Sequence, residues 1–580
     1  MGSETAEVSA QKAPRGMAAA FVWLFWAGML ASAVTYVGLY GSREPYMDDW
    51  GVVPALTGTQ PITLSWLWSQ HNEHRLPLPR LLLVGLLQLG RLDFRVPMIF
   101  GVLARGTLAS ALIRLATRLR GRTAWTDIVF PLLLLHWGHS DNFLWAWQTQ
   151  FTASTVLAGI ALLLIATGGL EKSLARILAL DLCLVALVLC GGNGLPFIPP
   201  LTLWLLVAAA SCWPGARQES LAMLAGAVAA VALLAWYFVG LEPAAMPARP
   251  GFAGILRTFA EVLSLSLGLL VTADVYGLSN PHVLKLYWQA LVILIVVLYA
   301  AASWLALRVC CRVRVERLRA FGLLMFLASM FGLGLGISWA RSGFGEMSGL
   351  NRRYVTLMSP GVACIYLIFL LYGQGWSRRL QTLVVLSLAV LAWPSFSEGR
   401  KFAEGLRLKF SHLEEDIKSG LPPMILADRY TRFPVAIRPR HEEPLLALEM
   451  DQLRLLKVDG FASMQPDPPY RELAVDKVAS EPRPNEYLLS STRFAYAIRL
   501  KYRFEPPADK SFQVVPFHCS WLSIDSRTRQ TVSHDFQATL IQDGNENYIH
   551  FWINEPIAGF RLLPGAACRI WDVMLLIPSS

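Results

Sequence analysis

"LVILIVVLYAAASWLALRVCCRVRVERLR", residues 291–319, decides how the rest of the chain is read. An apolar run gives way abruptly to Arg308, Arg312, Arg314, Arg317 and Arg319. Roughly 20 apolar residues cross the hydrocarbon of a bilayer as a helix. Arginines clustered in a short loop mark the cytoplasmic side. The stretch therefore reads as a span that ends inside the cell. "RLATRLRGR" (114–122) and "GWSRR" (375–379) repeat the pattern and fix two more cytoplasmic connections.

Working outward, apolar runs recur from residue 17 to about 394 of a 580-residue chain. It is 54% hydrophobic and 16% charged, with a mean hydropathy of +0.44. That composition excludes an ordinary soluble domain. The net charge of +10 sits largely in the loops between spans, so it argues topology and no nucleic-acid partner. The run at 17–40 is too long for a signal-peptide core and is kept as the first span. With the N-terminus inside, about eleven spans follow. The run 255–272 breaks the parity: either it dips in and returns, or it lies in the interface, and Glu261 within it supports the second reading.

From residue 397 the pattern changes. Residues 397–420 and 444–460 have helical spacing and close at Gly420 and Gly460. From 486 the apolar residues alternate, which predicts antiparallel strands. The expected fold is a polytopic α-helical membrane domain followed by a soluble α+β region ending in an antiparallel β-sandwich. The divisions are a cytoplasmic tail 1–16, a membrane domain 17–396 with a large external loop 41–93, a helical linker 397–485 and a β-sandwich 486–580. The last region faces the periplasm or the exterior, which makes Cys519 and Cys568 a disulfide candidate.

Residues with chemistry collect on the outer loops. "EPYMDDWGVV" (44–53) places Asp48 and Asp49 just beyond the first span. A carboxylate there can take a proton from an attacking hydroxyl, its neighbour can hold a divalent cation, or the pair caps a solvated turn. "QPITLSWLWSQHNEH" (60–74) reads as a short interfacial helix carrying His71, Glu73 and His74, with Arg75 next. "PRLLLVGLLQLG" (79–90) is too short to span. Arg352 and Arg353 open a span on the side where positive charge is disfavoured; they snorkel or hold an anion. Asn142 and Gln148, with Asp141 and Gln150, lie beside Trp145 and Trp147; the tryptophans anchor the interface or stack on a sugar. Arg105 and Asp181 lie inside spans as a potential pair.

"YMDDW" (46–50), "HRLPLPRLL" (74–82), "DNFLWAWQTQF" (141–151) and "NRRYVTL" (351–357) together resemble the GT-C superfamily of integral-membrane glycosyltransferases, over roughly residues 15–395. The usual Asp-Glu pair of that superfamily is Asp-Asp here. The resemblance implies a GT-C-like membrane domain in the bacterial inner membrane. It implies transfer of a sugar from a polyprenyl-phosphate donor to an envelope glycan or lipid acceptor on the external face, with inversion. Asp48 or Asp49 would be the base. Arg75, Arg352, Arg353 and His74 would bind the donor phosphate, and His71, Glu73, Asn142, Gln148 and Tyr354 would contact acceptor or sugar. No cofactor is required, though Asp48 and Asp49 offer a site for Mg or Mn. The C-terminal strands resemble carbohydrate-binding jelly rolls. Two other readings stay open: a flippase for a lipid-linked glycan, and a non-catalytic scaffold of a polysaccharide assembly complex.

Overall fold

A computed structural model describes residues 15–242, 247, 250–268, 281–431, 443–458, 460–475, 485–505, 514–524, 531–541 and 546–579. Most of the tail 1–16 and the end of the 255–272 run lie outside the described residues. The chain divides into two compact units: residues 1–43 with 58–407, and residues 44–57 with 408–580.

The first unit is helical. Nine helical segments among the described residues are long and apolar enough to cross a membrane: Gly16–Tyr40, Arg95–Arg120, Ala146–Thr167, Gly191–Cys212, Arg217–Phe238, Trp288–Arg312, Arg314–Phe344, Tyr354–Tyr372 and Gly375–Lys418. Two of the eleven expected spans fall short. Val129–Leu135 has seven residues and Leu174–Leu189 has 16. At 1.5 Å per residue these reach about 10 and 24 Å, below the ~30 Å of hydrocarbon. The described part of the 255–272 run lies in the 13-residue helix Phe252–Ser264 and the turn Leu265–Leu267 after it; that helix is also too short to cross.

Tyr354–Tyr372 is the central helix, buried along nearly its whole length. The outer helices turn large apolar side chains outward instead, including Leu182, Val228, Trp236, Ile293 and Val390. Water would not tolerate so much exposed apolar surface; lipid does. Inside, small residues let helices approach. Gly159 of the Thr149–Thr167 helix lies against Leu108, and Gly101 lies against Thr152, the close packing that drives helix association in lipid. Asp127 is fully buried and paired: it accepts from Arg120 at 2.8 Å and from the Tyr366 hydroxyl at 3.0 Å.

The short helix read over 60–74 is only Leu64–Trp68. Beyond it, β1 (Gln70–His71) and β2 (His74–Arg75) pair antiparallel, with His71 opposite His74. Asn72 takes a left-handed conformation at φ 50°, which a two-residue hairpin loop demands. Local turn chemistry thus overrides the helical spacing of the two histidines. The expected interfacial helix after it is present as Pro77–Leu89.

In the second unit the helices Pro423–Thr431 and Glu443–Leu455 precede the strands, and the Gly375–Lys418 helix ends just before Gly420. Strands β3 (Tyr470–Ala474), β4 (Glu486–Phe504), β5 (Val514–Ile524), β6 (Thr531–Ile541), β7 (Asn547–Pro564) and β8 (Cys568–Pro578) form one antiparallel sheet. Its order is β3-β8-β4-β7-β5-β6. The alternating pattern is there, but the strands join in a single curled sheet in place of two hydrogen-bonded layers. Register shifts in the long β4 add the local twist that curls it. Cys519 lies in β5 and Cys568 opens β8, with β7 and β4 between them. No disulfide joins them, because strand order separates their backbones beyond the reach of an S–S bond.

Residues 44–57 fold with this second unit. Trp50 is fully buried and meets Phe461 edge-on at 5.9 Å. Tyr46 meets Phe410 at 6.0 Å, and Thr57 donates to Gln452 at 2.8 Å.

Candidate functional site: arginines, histidines and buried amides on three loops

Asp48 and Asp49 lie in the 3₁₀ turn Met47–Val52. Asp49 is fully buried and its carboxylate accepts the Tyr46 N–H at 3.0 Å. That bond closes the turn, as a capping carboxylate does. Asp48, one residue earlier, is half-buried. The two therefore differ: one carboxylate holds the backbone, and its neighbour keeps access to solvent. Among the described residues no group of three His, Cys, Asp or Glu side chains is placed to hold a metal ion.

The other predicted residues belong to the first unit, and three loops bring most of them together. The β1–β2 hairpin contributes His71, Glu73 and His74. Glu73 accepts from Arg341 at 2.6 Å and lies 3.6 Å from His74 Nε2. His74 packs on Gly192 so closely that a Cβ there would come within 2.7 Å of its ring. Burial pulls the His74 pKa down; Glu73 opposes this, while Arg341, His71 and Arg353 add to it. The imidazole is thus neutral at physiological pH, in a neighbourhood rich in positive charge.

Arg75 has a different task. Its guanidinium donates to the carbonyls of Trp68 (3.0 Å), Val239 (2.9 Å) and Gly240 (2.7 Å), and its own N–H donates to Tyr237. It ties the hairpin to the end of the Arg217–Phe238 helix.

The second loop runs from His136 to Gln150, through short helical turns. Its Trp147 ring stands 4.6 Å from the His71 ring. Burial pushes the Asp141 carboxyl up, opposed by Arg352 and Arg353. Asn142 donates to the Arg353 carbonyl at 3.0 Å. Gln148 is 1% exposed, yet neither atom of its amide has a hydrogen-bond partner among the described residues. Asn142 Oδ1, Gln150 Oε1 and Ser140 Oγ share that condition. Leaving such a group buried and unpaired costs about 1–3 kcal/mol, so a cluster of them is unusual away from a binding site.

The third loop spans Arg341 to Tyr354. Glu261 holds its turn in place, accepting from the Met347 and Gly349 N–H groups at 3.2 and 3.0 Å. Arg352 lies over the Phe402 ring at 5.0 Å and Arg353 over Tyr354 at 5.5 Å. Tyr354 is itself buried, 6.4 Å from Phe151.

Beneath the loops lies a network that sequence reading did not assemble. Arg105, fully buried, donates to Thr356 Oγ1, to the Asn142 carbonyl, both at 3.3 Å, and to Gly101 O at 3.2 Å, and it lies 4.3 Å from the Phe143 ring. His139 shares Thr356 at 2.7 Å. Burial pushes the pKa of His136, close by, down to about 3. No carboxylate among the described residues pairs with Arg105; Asp181 lies against Gly226 instead. The signal available in the sequence was a charged residue within a span together with "HWGH" (136–139).

Three arginines, a neutral histidine and a set of unsatisfied amides thus share one neighbourhood. Such a neighbourhood suits an anion joined to an uncharged, hydrogen-bonding group. Set against family models, curated proteins and solved structures, the chain matches none of them.

Proposed function

We propose that the protein is a membrane glycosyltransferase that takes a sugar from a polyprenyl-phosphate donor at the external face of the bacterial inner membrane. The acceptor is an envelope glycan or lipid. The observation that carries this reading is the Arg352–Arg353 pair, set beside Arg341 and His74 at the end of an apolar helix. Positive charge at that end of a span suits a bound anion, and a lipid phosphate is the anion that a bilayer supplies.

In this reading the acceptor hydroxyl attacks the anomeric carbon and loses its proton to a carboxylate base, the role that the sequence resemblance implies for Asp48. The bond from that carbon to the phosphate oxygen breaks, the configuration inverts, and the leaving phosphate keeps the electron pair. Arg352 and Arg353 stabilise the charge it gains. Asp49 holds the turn that carries Asp48, and Arg75 holds the hairpin. The arginines supply the positive charge, so the step does not require a divalent cation. His71, Glu73 and Tyr354 shape the acceptor side.

The test is to incubate purified protein with a panel of polyprenyl-phosphate sugars and acceptors and to analyse products by mass. Formation of a new glycosidic bond, lost in Asp48→Asn, supports the reading. Movement of lipid across vesicles without such a product would replace it with the flippase reading.

A further inference from the structure

The buried amides of the His136–Gln150 loop form the part of the site that the arginines do not explain. Gln148 can make four hydrogen bonds through its side chain and makes none among the described residues, although it is 1% exposed. Asn142, 2% exposed, uses its Nδ2 on the Arg353 carbonyl and leaves Oδ1 unpartnered. Gln150 Oε1 and Ser140 Oγ add two further unpartnered acceptors. At Gln148, an apolar side chain would be better tolerated unless a ligand completes the bonds.

The surroundings narrow the chemistry. The amides are neutral, so they select neutral donors and acceptors rather than a second charge. Trp147 and His71 offer two tilted rings beside them, suited to the apolar face of a pyranose ring. Through Asn142 the amide group is bonded directly to the backbone of Arg353, the residue assigned above to the phosphate. The fully buried Arg105 donates to the backbone carbonyl of Asn142, so the backbone and the side chain of Asn142 are each bonded to an arginine.

We propose that Gln148, with Asn142, is the specificity site for the sugar of the donor lipid, and that it takes an uncharged sugar through its ring hydroxyls. The inference rests on the glycosyltransferase reading for the identity of the lipid. It goes beyond that reading in assigning the discrimination between sugars to the amides and the general affinity for the lipid to the arginines.

The experiment compares full-length wild type, Gln148→Leu and Arg353→Gln in lipid nanodiscs. The probes are undecaprenyl phosphate, the same lipid carrying a neutral hexose, pentose or N-acetylhexosamine, and the free monosaccharides. Wild type is expected to bind at least one glycosylated lipid roughly tenfold more tightly than the bare phosphate. Gln148→Leu is expected to lose that preference while binding undecaprenyl phosphate within twofold of wild type. Arg353→Gln is expected to weaken both lipids alike. Without ligand, Gln148→Leu is expected to keep or raise the Tm, because it removes an unsatisfied amide.

A fall in the ligand-free Tm would show that the amide is satisfied within the fold, and would overturn the inference. So would a sugar preference that survives Gln148→Leu, or a wild type that binds no glycosylated lipid better than the bare phosphate. Failure of Arg353→Gln to alter phosphate binding would overturn the glycosyltransferase reading alone. In that case a Tm increase with free monosaccharide in wild type and not in Gln148→Leu would still support the sugar site.

Discussion

Arg352 and Arg353 precede an almost wholly buried apolar helix, and their aromatic neighbours, Phe402 and Tyr354, orient the guanidinium planes. Stacking of this kind fixes direction without supplying a counter-charge. If the pair stabilises a leaving phosphate, Arg353→Gln should lower kcat by roughly 100-fold or more with little change in Tm. Steady-state rates on the active donor check this. Asp48 and Asp49 should separate cleanly. Asp48→Asn should cost on the order of 100- to 10,000-fold in turnover and leave the fold intact. Asp49→Ala should destabilise the second unit by about 1–3 kcal/mol, because the Tyr46 N–H loses its acceptor. Thermal unfolding of the two variants distinguishes these roles. His74 gives a pH signature. Its folded pKa lies below the ordinary imidazole value, so the unfolded chain binds the proton first. Its contribution is intact above about pH 6.5 and is lost as pH falls from there towards the folded pKa. The Tm of wild type should therefore drop more steeply below that pH than the Tm of His74→Gln.

The β1–β2 hairpin shows what an element adds to such residues. Spacing alone set His71 and His74 on a helix turn; pairing across the hairpin sets them opposite each other and turns His71 onto Trp147. The hairpin seats on Gly191 and Gly192, where a side chain has no room. Gly192→Ala should push the His74 ring aside and weaken phosphate-lipid binding several-fold while the spans still assemble. Binding assays paired with a monodispersity check in detergent test that outcome. Helices that end at glycine or begin at a charged loop were legible in sequence, as at Gly420. The hairpin was not, because Asn72 must adopt a positive φ, and tertiary bonds, from Gln70 to Glu242 at 2.7 and 2.9 Å and from Arg75 to the Val239 and Gly240 carbonyls, favour that conformation over a further helical turn. The sheet follows the same logic. Alternation in the sequence specifies strands and their two faces, whereas the bulges that curl six of them together arise from the register between neighbours.

For the whole molecule, the division of the chain is the least expected feature. Residues 44–57, from the loop that follows the first span, fold with residues 408–580. Trp50→Ala should cost that unit about 3–5 kcal/mol, read as increased protease sensitivity of the C-terminal region while the helical unit stays resistant. The topology argued from arginines makes its own prediction. Cys311, exposed at the Arg-rich loop, should react with a membrane-impermeant thiol reagent only from the cytoplasmic side, and a cysteine placed at Asn72 only from the external side. Sequence by itself determined that the chain is a multi-pass helical membrane protein with a β-rich C-terminal region, because hydrophobic length, charge asymmetry and alternation are local quantities that the bilayer and the sheet read directly. Only the tertiary structure decided that Arg75 serves the backbone, that Asp49 closes a turn, and that Arg105, Asn142 and Arg353 form one network. Those outcomes depend on which donors and acceptors meet after burial, and residues hundreds of positions apart carry no mark of that in their order.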